Sequence, residues 1–369
     1  MEKYITATML YDWVQCPHRV SLDLFENESK RDEISVFVKL LWEKGNIYEK
    51  EVIEKLDIPF TDLSIFKGEE KERTTIEAMN RGDELIYSGR IRHKNLLGIP
   101  DLLKRQKNGY IPGDIKSGKG LEGDSDLEDG KPKKHYAVQL ALYTDILEQS
   151  GFLSDRTPFV WDINNREIEY NLDELQGKRN PVSLWSVYQD SLEEVEQIVE
   201  KKITTTPALT ATCKLCHWHT FCKNEIKQND DLTLIPELGR STRDKLMTNI
   251  STVKDMASLD LNIFNRKIKG VGLNSLLKYQ TRAKLLSTPG SKPIITEKIE
   301  LPESKTELFF DIETDPMRDT CYLHGFVVRY NGNNSTEKYH AFFANEPNEN
   351  EEKKAFSEAV NFIKSNQPC

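Results

Sequence analysis

Two short runs hold the acids and the lysine best suited to chemistry in this chain. Gly98-Ile99-Pro100-Asp101-Leu102-Leu103 is followed by Gly113-Asp114-Ile115-Lys116-Ser117-Gly118-Lys119. Asp101 lies in one β-rich run; Asp114 and Lys116 stand two apart in the next, so their side chains share a face. Ile99, Leu102, Ile111 and Ile115 bracket the acids with apolar surface. That places the charges at the margin of a core, where a carboxylate needs a partner or a metal. Two carboxylates and a lysine converging across neighbouring strands suit phosphodiester hydrolysis. The acids would hold one or two Mg²⁺ or Mn²⁺ ions that generate hydroxide and neutralise charge on the phosphate. Lys116 would orient the attacking water or stabilise the transition state as a fixed cation. Gln139 and Tyr143, at i and i+4 in Tyr-Ala-Val-Gln-Leu-Ala-Leu-Tyr, share a helix face and can hydrogen-bond a phosphate or hold the lysine.

A second constellation is built of sulfur. Cys213-x2-Cys216-x5-Cys222 lies far along the chain from Cys16, and three clustered thiolates with one distant one can close a four-sulfur site. Zn²⁺ or a [4Fe–4S] cluster would suit it, with His217 or His219 as an alternative fourth ligand for zinc. Closing such a site ties the first helix to the end of the same domain. Cys321 and Cys369 have no neighbours of this kind and read as incidental.

These residues need a frame of strands and helices. Apolar periodicity predicts helices at 6–14, 34–56 (Val36, Leu40, Leu41, Ile47 and Val52 as apolar positions), 136–148 and 182–202. Alternating β-rich runs cover 85–92, 96–104 and 110–116, with shorter strands at 159–163 and 168–171. A Gly-, Asp- and Lys-rich loop spans 117–134. Residues 1–228 therefore read as one α/β domain of mixed sheet flanked by helices. A helical module at 229–288, a linker at 289–305 and a further α/β piece at 306–369 follow. No internal repeat suggests a solenoid.

Composition narrows the class. Of 369 residues, 37% are hydrophobic and 30% charged, with a net charge of −9. No stretch approaches the ~20 apolar residues of a membrane span, and no secretory signal opens the chain. A cytoplasmic protein is expected, in which regularly spaced cysteines favour metal over disulfides. The acidic average hides an exception: residues 231–290 carry ten Lys and Arg against five Asp and Glu, a net of +5 that leaves −14 for the rest. A basic module in an acidic protein points to nucleic acid. It has two Gly-containing turns between short helices, at 236–239 and 270–272. The pair looks like two helix–hairpin–helix motifs, whose turns aim backbone N–H groups at a phosphate. Gly270, Gly272, Lys269, Arg240 and Arg243 are the expected DNA contacts, with Lys245, Lys267 and Lys278 adding charge. Glu237 makes the first turn the poorer binder. In the last piece, Leu308-Phe309-Phe310-Asp311-Ile312-Glu313 sets Asp311 and Glu313 two apart after an apolar strand. This resembles the first motif of RNase H-like DEDD exonucleases and marks a possible second nuclease site. The remaining motifs have no room before residue 369, so a partial domain, inactive by itself, is expected.

The order of acid, D-x-K and Q-x-x-x-Y resembles the PD-(D/E)XK nuclease superfamily. Within it, the likeness is to the RecB-type branch and the CRISPR-associated iron–sulfur exonucleases. The resemblance implies a restriction-endonuclease-like core in which Asp101, Asp114 and the Ile115 carbonyl bind the metal and Lys116 is catalytic. It also implies that the four cysteines hold [4Fe–4S], and that the substrate is DNA, as single strands or ends, cut by an exonuclease of repair, recombination or CRISPR-type processing. One departure stands out. The family's early helix carries a metal-binding His shortly after a Gly, whereas here Gly45-Asn46-Ile47-Tyr48-Glu49 puts Tyr48 at that place. Glu49 would then substitute, or the site would run with one side chain fewer. That leaves a second expectation, a catalytically weak, iron–sulfur-stabilised DNA-binding adaptor.

Overall fold

The computed structural model describes residues 4–367 apart from 124–129, 178–179, 262–269, 296, 298–299, 301–303, 316–317 and 319. The chain forms two compact units, residues 1–291 and 292–369.

The first unit is organised around a six-stranded mixed sheet. Its strands are β1 (Thr61–Asp62), β2 (Leu85–Tyr87), β3 (Leu102–Gln106), β4 (Gly109–Ile115), β5 (Phe159–Trp161) and β6 (Glu167–Glu169). They lie side by side in chain order. β1–β2 and β4–β5 are parallel pairs; β2–β3, β3–β4 and β5–β6 are antiparallel. Alternation along these strands sends side chains into two separate cores. Ile86, Leu103, Tyr110 and Val160 join a large core with the helices α1 (Ala7–Gln15), α4 (Gly68–Arg81), α5 (Lys134–Gln149) and α6 (Leu184–Val199). Leu85, Leu102, Ile111, Ile115 and Phe159 face the other way, against Val52 of α3 (Val36–Glu54). α2 (Pro17–Phe25) follows α1 directly. The sheet is thus covered by helices on both faces, which is the frame the alternating sequence requires. Asp114 and Lys116, in phase with Tyr110, point to the α5 layer.

Two expected strands are shorter than their apolar runs. The 85–92 run divides into β2 and Ile91–His93, and the 96–104 run into Leu96–Gly98 and β3. Ile91–His93 and Leu96–Gly98 pair in a separate three-stranded sheet with Ile5–Thr6. Asp101 therefore sits in a bend before β3 rather than within a strand. Pro100, which has no N–H to give to a ladder, accounts for the break.

A helical module completes the first unit: α7 (His219–Gln228), α8 (Arg240–Leu246), α9 (Val253–Ala257) and α10 (Leu273–Ser287). The last three helices surround their own core of Leu232, Ile235, Leu246, Ile250, Met256, Leu276 and Ala283. The second unit holds three antiparallel strands, β7 (Thr306–Asp315), β8 (Thr320–Tyr330) and β9 (Asn333–Phe343), with α11 (Glu349–Ser365). Among the described residues no helix is long and apolar enough to cross a membrane.

Candidate active site

Asp114, next to the end of β4, is almost fully buried, at 1% exposure. Lys116 follows it out of the strand, with its Nζ 3.0 Å from Asp114 Oδ2. Asp101 closes the group from the next bend, its Oδ2 accepting the Ile115 N–H at 2.8 Å. From α5, Gln139 Oε1 accepts Lys116 Nζ at 3.2 Å. Gln139 Nε2 donates to the Tyr143 hydroxyl at 3.2 Å, and that hydroxyl donates to the Ile99 carbonyl at 3.4 Å. The chain of bonds returns to the Gly98–Asp101 segment from which it began. Of the two roles open to this helix face, Tyr143 has the supporting one: it is buried and holds Gln139, which holds the lysine.

Two glycines make this closure possible. A Cβ at Gly98 would lie 2.6 Å from the Tyr143 ring, and one at Gly113 would lie 2.3 Å from the Phe159 ring. Either side chain would push the acid-bearing segments off the helix or off the neighbouring strand.

The electrostatics follow from crowding. Burial, then the neighbouring Asp114 carboxylate, hold the Asp101 carboxyl well above the ordinary Asp range. Burial would lower Lys116, but Asp114 and Asp101 outweigh it and raise the ammonium's pKa. Burial also raises Tyr143, with both acids adding to the effect. Asp114 Oδ2 is buried, and its partner is the Lys116 ammonium at 3.0 Å. Two adjacent acids, one of them resisting ionisation beside the other, with a single lysine between them to balance both, fit a divalent cation. Among the described residues no three His, Cys, Asp or Glu side chains meet closely enough to hold one ion. An ion here would rest on Asp101, Asp114 and the Ile115 carbonyl, with water completing its shell, which matches the few protein ligands Mg²⁺ takes.

Glu49 stays outside that pair. It lies near enough to raise the Asp101 pKa, but its Oε1 accepts the Tyr87 hydroxyl at 2.8 Å. Tyr48, at the position expected to carry a histidine, donates its hydroxyl to the Asp162 carbonyl instead. It fastens α3 to the end of β5 and is spent there.

The family profile described as the PD-(D/E)XK nuclease superfamily matches residues 18–223. The chain belongs to the PD-(D/E)XK nuclease superfamily. Its members are hydrolytic nucleases, and the matched span contains both acids, Lys116, Gln139 and Tyr143. A comparison with curated proteins finds no match.

In this PD-(D/E)XK chain, Cys16 stands between α1 and α2, Cys213 lies in a short helical turn at Ala211–Leu215, Cys216 follows its end, and Cys222 lies in α7. All four are free thiols and line one cavity of 270 Å³. Burial, then the other three sulfurs, push the Cys222 thiol up to about 12. Cys16 Sγ accepts from Arg240 Nη2 at 3.2 Å, Cys213 Sγ from the Thr210 N–H and Cys216 Sγ from the Trp218 N–H, both at 3.4 Å. Among the described residues no three of these side chains meet closely enough to hold one ion, whereas zinc needs each sulfur ~2.3 Å from a single centre. His217 is withdrawn as a ligand because its Nε2 meets Asp23 Oδ1 at 2.7 Å.

The helical module corrects one expectation. Arg243 is not a DNA contact: it is 2% exposed, donates to the Pro207 carbonyl and pairs with Asp231 (3.3 Å) and Asp244 (2.8 Å). Arg240 likewise turns inward, to the Thr206 carbonyl at 2.9 Å and to Cys16. Arg243 thus buries its guanidinium on a carbonyl of the loop before the cysteines, and half-buried Arg240 bonds the neighbouring carbonyl. Gly239 and Gly272 open α8 and α10, and a Cβ at either would meet nothing within 4 Å, while Gly270 holds a positive φ of 87°. Lys267 and Lys269 lie outside the described residues. Glu237, with φ 66°, is gripped by Lys278 and Arg282 of α10.

In the second unit, Asp311 and Glu313 share a face of β7 opposite Gly325 and Leu323 and border a cleft of 310 Å³. Among the described residues no further acid joins them closely enough to hold an ion. Sequence reasoning passed over Tyr11, Tyr136, Trp42 and Lys214, which line the cleft above Lys116. For Tyr136 the signal was present: it precedes Gln139 by three positions on the same helix face.

Proposed function

We propose that this chain is a metal-dependent DNA nuclease, an exonuclease acting on single strands or ends in repair, recombination or CRISPR-type processing. The observation that carries the reading is the pair of buried Asp114 and half-buried Asp101 facing a lysine held by Gln139. Asp101, Asp114 and the Ile115 carbonyl would hold Mg²⁺ or Mn²⁺, which supplies a hydroxide at neutral pH and neutralises charge on the phosphate. Lys116 stays protonated and meets the negative charge that grows on the phosphate oxygens. Gln139 and Tyr143 keep its ammonium aimed at that place. The RecB-type branch and a [4Fe–4S] cluster on Cys16, Cys213, Cys216 and Cys222 belong to the same reading. The cavity among the sulfurs and their N–H donors support the cluster. Iron and visible absorption in anaerobically purified protein would support it, and one bound zinc in colourless protein would remove it.

The test of the enzyme reading compares wild type with Asp114→Ala on labelled single-stranded DNA with Mn²⁺. Degradation by wild type alone is expected; binding without degradation by both would leave the second reading. That reading, a weak or inactive iron–sulfur-stabilised DNA-binding adaptor, draws on Tyr48, whose hydroxyl is spent on Asp162 where a third ligand was expected.

A further inference from the structure

The cleft above Lys116 continues beyond the nuclease centre. It encloses 930 Å³ and runs past Tyr11, Tyr136 and Trp42 to Lys214 and His219 of the cysteine loop. A second cleft, of 940 Å³, is bordered by the same Lys214 and His219, by Lys223 and by the first hairpin turn, 236–239. Because Lys214 and His219 border both, the two clefts form one track from the catalytic lysine across the cysteine loop to the hairpin.

Charge along this track is unevenly available. Lys214 and Lys223 form no ion pair among the described residues. The acids beside them are mostly engaged: Asp12 with Arg19 at 3.1 Å, Asp32 with the Thr220 N–H at 2.8 Å, and Glu237 with Lys278 and Arg282. Glu33, at the edge of the first cleft, has no ion pair among the described residues. Spare cations therefore collect in one groove of a chain whose net charge is −9. Flat rings line the same groove. Tyr11 and Tyr136 lie 6.4 Å apart at 30°, and Trp42 is 56% exposed. Cations that follow a backbone, beside the exposed Trp42 ring, suit bases that are not already stacked in a duplex.

We propose that this track binds a single-stranded DNA segment, with phosphates on Lys214 and Lys223 and bases against Trp42, and leads its end to Lys116. The proposal rests on the nuclease reading for the end of the track and on separate residues for its course.

The test measures binding of labelled single-stranded DNA by the full chain carrying Asp114→Ala, so that the strand stays intact, over a range of salt. Adding Lys214→Glu and Lys223→Glu should weaken binding of a long strand roughly ten-fold or more and reduce the salt slope by about 1.4, two phosphate contacts' worth. A strand too short to pass the cysteine loop should lose less. Lys67→Glu with Lys94→Glu makes the same charge change away from both clefts and should leave affinity and slope as they were. Trp42→Ala should weaken binding with the salt slope kept. Equal losses in the two lysine pairs, or a loss independent of strand length, would overturn the track. The nuclease reading fails separately: wild type that binds through Lys214 and Lys223 but never cuts would leave the track standing.

Discussion

Lys116 is held by Asp114 at 3.0 Å and by Gln139 at 3.2 Å, with the Tyr136 ring 5.4 Å below it. Its charge and its aim can therefore be removed one at a time. Lys116→Met should slow cutting by about 10²–10³-fold, the loss typical of one transition-state donor. Gln139→Leu keeps the charge and loses one hydrogen bond, so single-turnover rates should fall about ten-fold with little change in DNA affinity. If both substitutions changed affinity and not rate, the lysine would be a binding group. Asp101 gives the opposite signs for stability and activity. Its folded pKa lies above its unfolded value, so its contribution to stability is full below the unfolded pKa and is lost as pH rises through the folded one. Asp101→Asn should then raise the melting temperature of metal-free protein at neutral pH while abolishing cutting. Mn²⁺ should raise the melting temperature of wild type and leave that of the variant unchanged.

His135 is one of two histidines, with His18, that burial places on the acid side of the stability profile. Burial, then Lys133, lower it from the usual 6.5 to about 4, beside the Tyr11 ring at 4.9 Å. A depressed pKa means that stability is present above the unfolded value and is lost as pH falls from 6.5 through about 4. His135→Phe keeps a ring against Tyr11 and removes the proton uptake. The fall of melting temperature across that window should become shallower; an unchanged fall would assign the acid limb to other groups.

At the scale of elements, much of the site was legible because it is local. Gly98 and Gly113 stand in the two acid-bearing runs, and the structure gives each a ring to accommodate. The i, i+4 relation of Gln139 and Tyr143 also survives folding. What was not legible depends on partners distant in sequence. Arg240 and Arg243 read as DNA contacts because a basic helix next to a glycine turn normally faces solvent, and nothing local announces the carbonyls of Thr206 and Pro207. Tyr48 could be seen to be out of pattern, but its bond to Asp162, 114 residues away, could not. Asp101 moved from strand to bend because Pro100 outweighed the apolar run. The close approach at Gly98 gives this scale its prediction. Gly98→Ala should destabilise by about 1–3 kcal/mol, the usual cost of overpacking, and slow cutting by displacing Tyr143 from Gln139. Denaturant unfolding and single-turnover rates together check it, and a stable variant with slow cutting would assign Gly98 to the site alone.

Across the whole molecule, two places bring a pair of acids together on or beside a strand, but only their surroundings decide which can do chemistry. In the first unit Asp114 is buried, neighbours a second carboxylate and faces a lysine that is itself positioned. In the second, Asp311 and Glu313 are exposed on β7, and burial of the kind that makes an acid seek a cation does not arise there. The first unit also contains its own cores, including the one beneath the helical module. Asp311→Asn with Glu313→Gln should therefore leave the rate of metal-dependent cutting within two-fold of wild type, roughly the scatter expected for surface substitutions. Asp114→Asn should abolish it, and residues 1–291 expressed alone should still cut. Loss of cutting in the β7 double variant, with activity kept by Asp114→Asn, would move the chemistry to the second unit and leave the Asp101–Asp114 pair as a structural feature of the sheet.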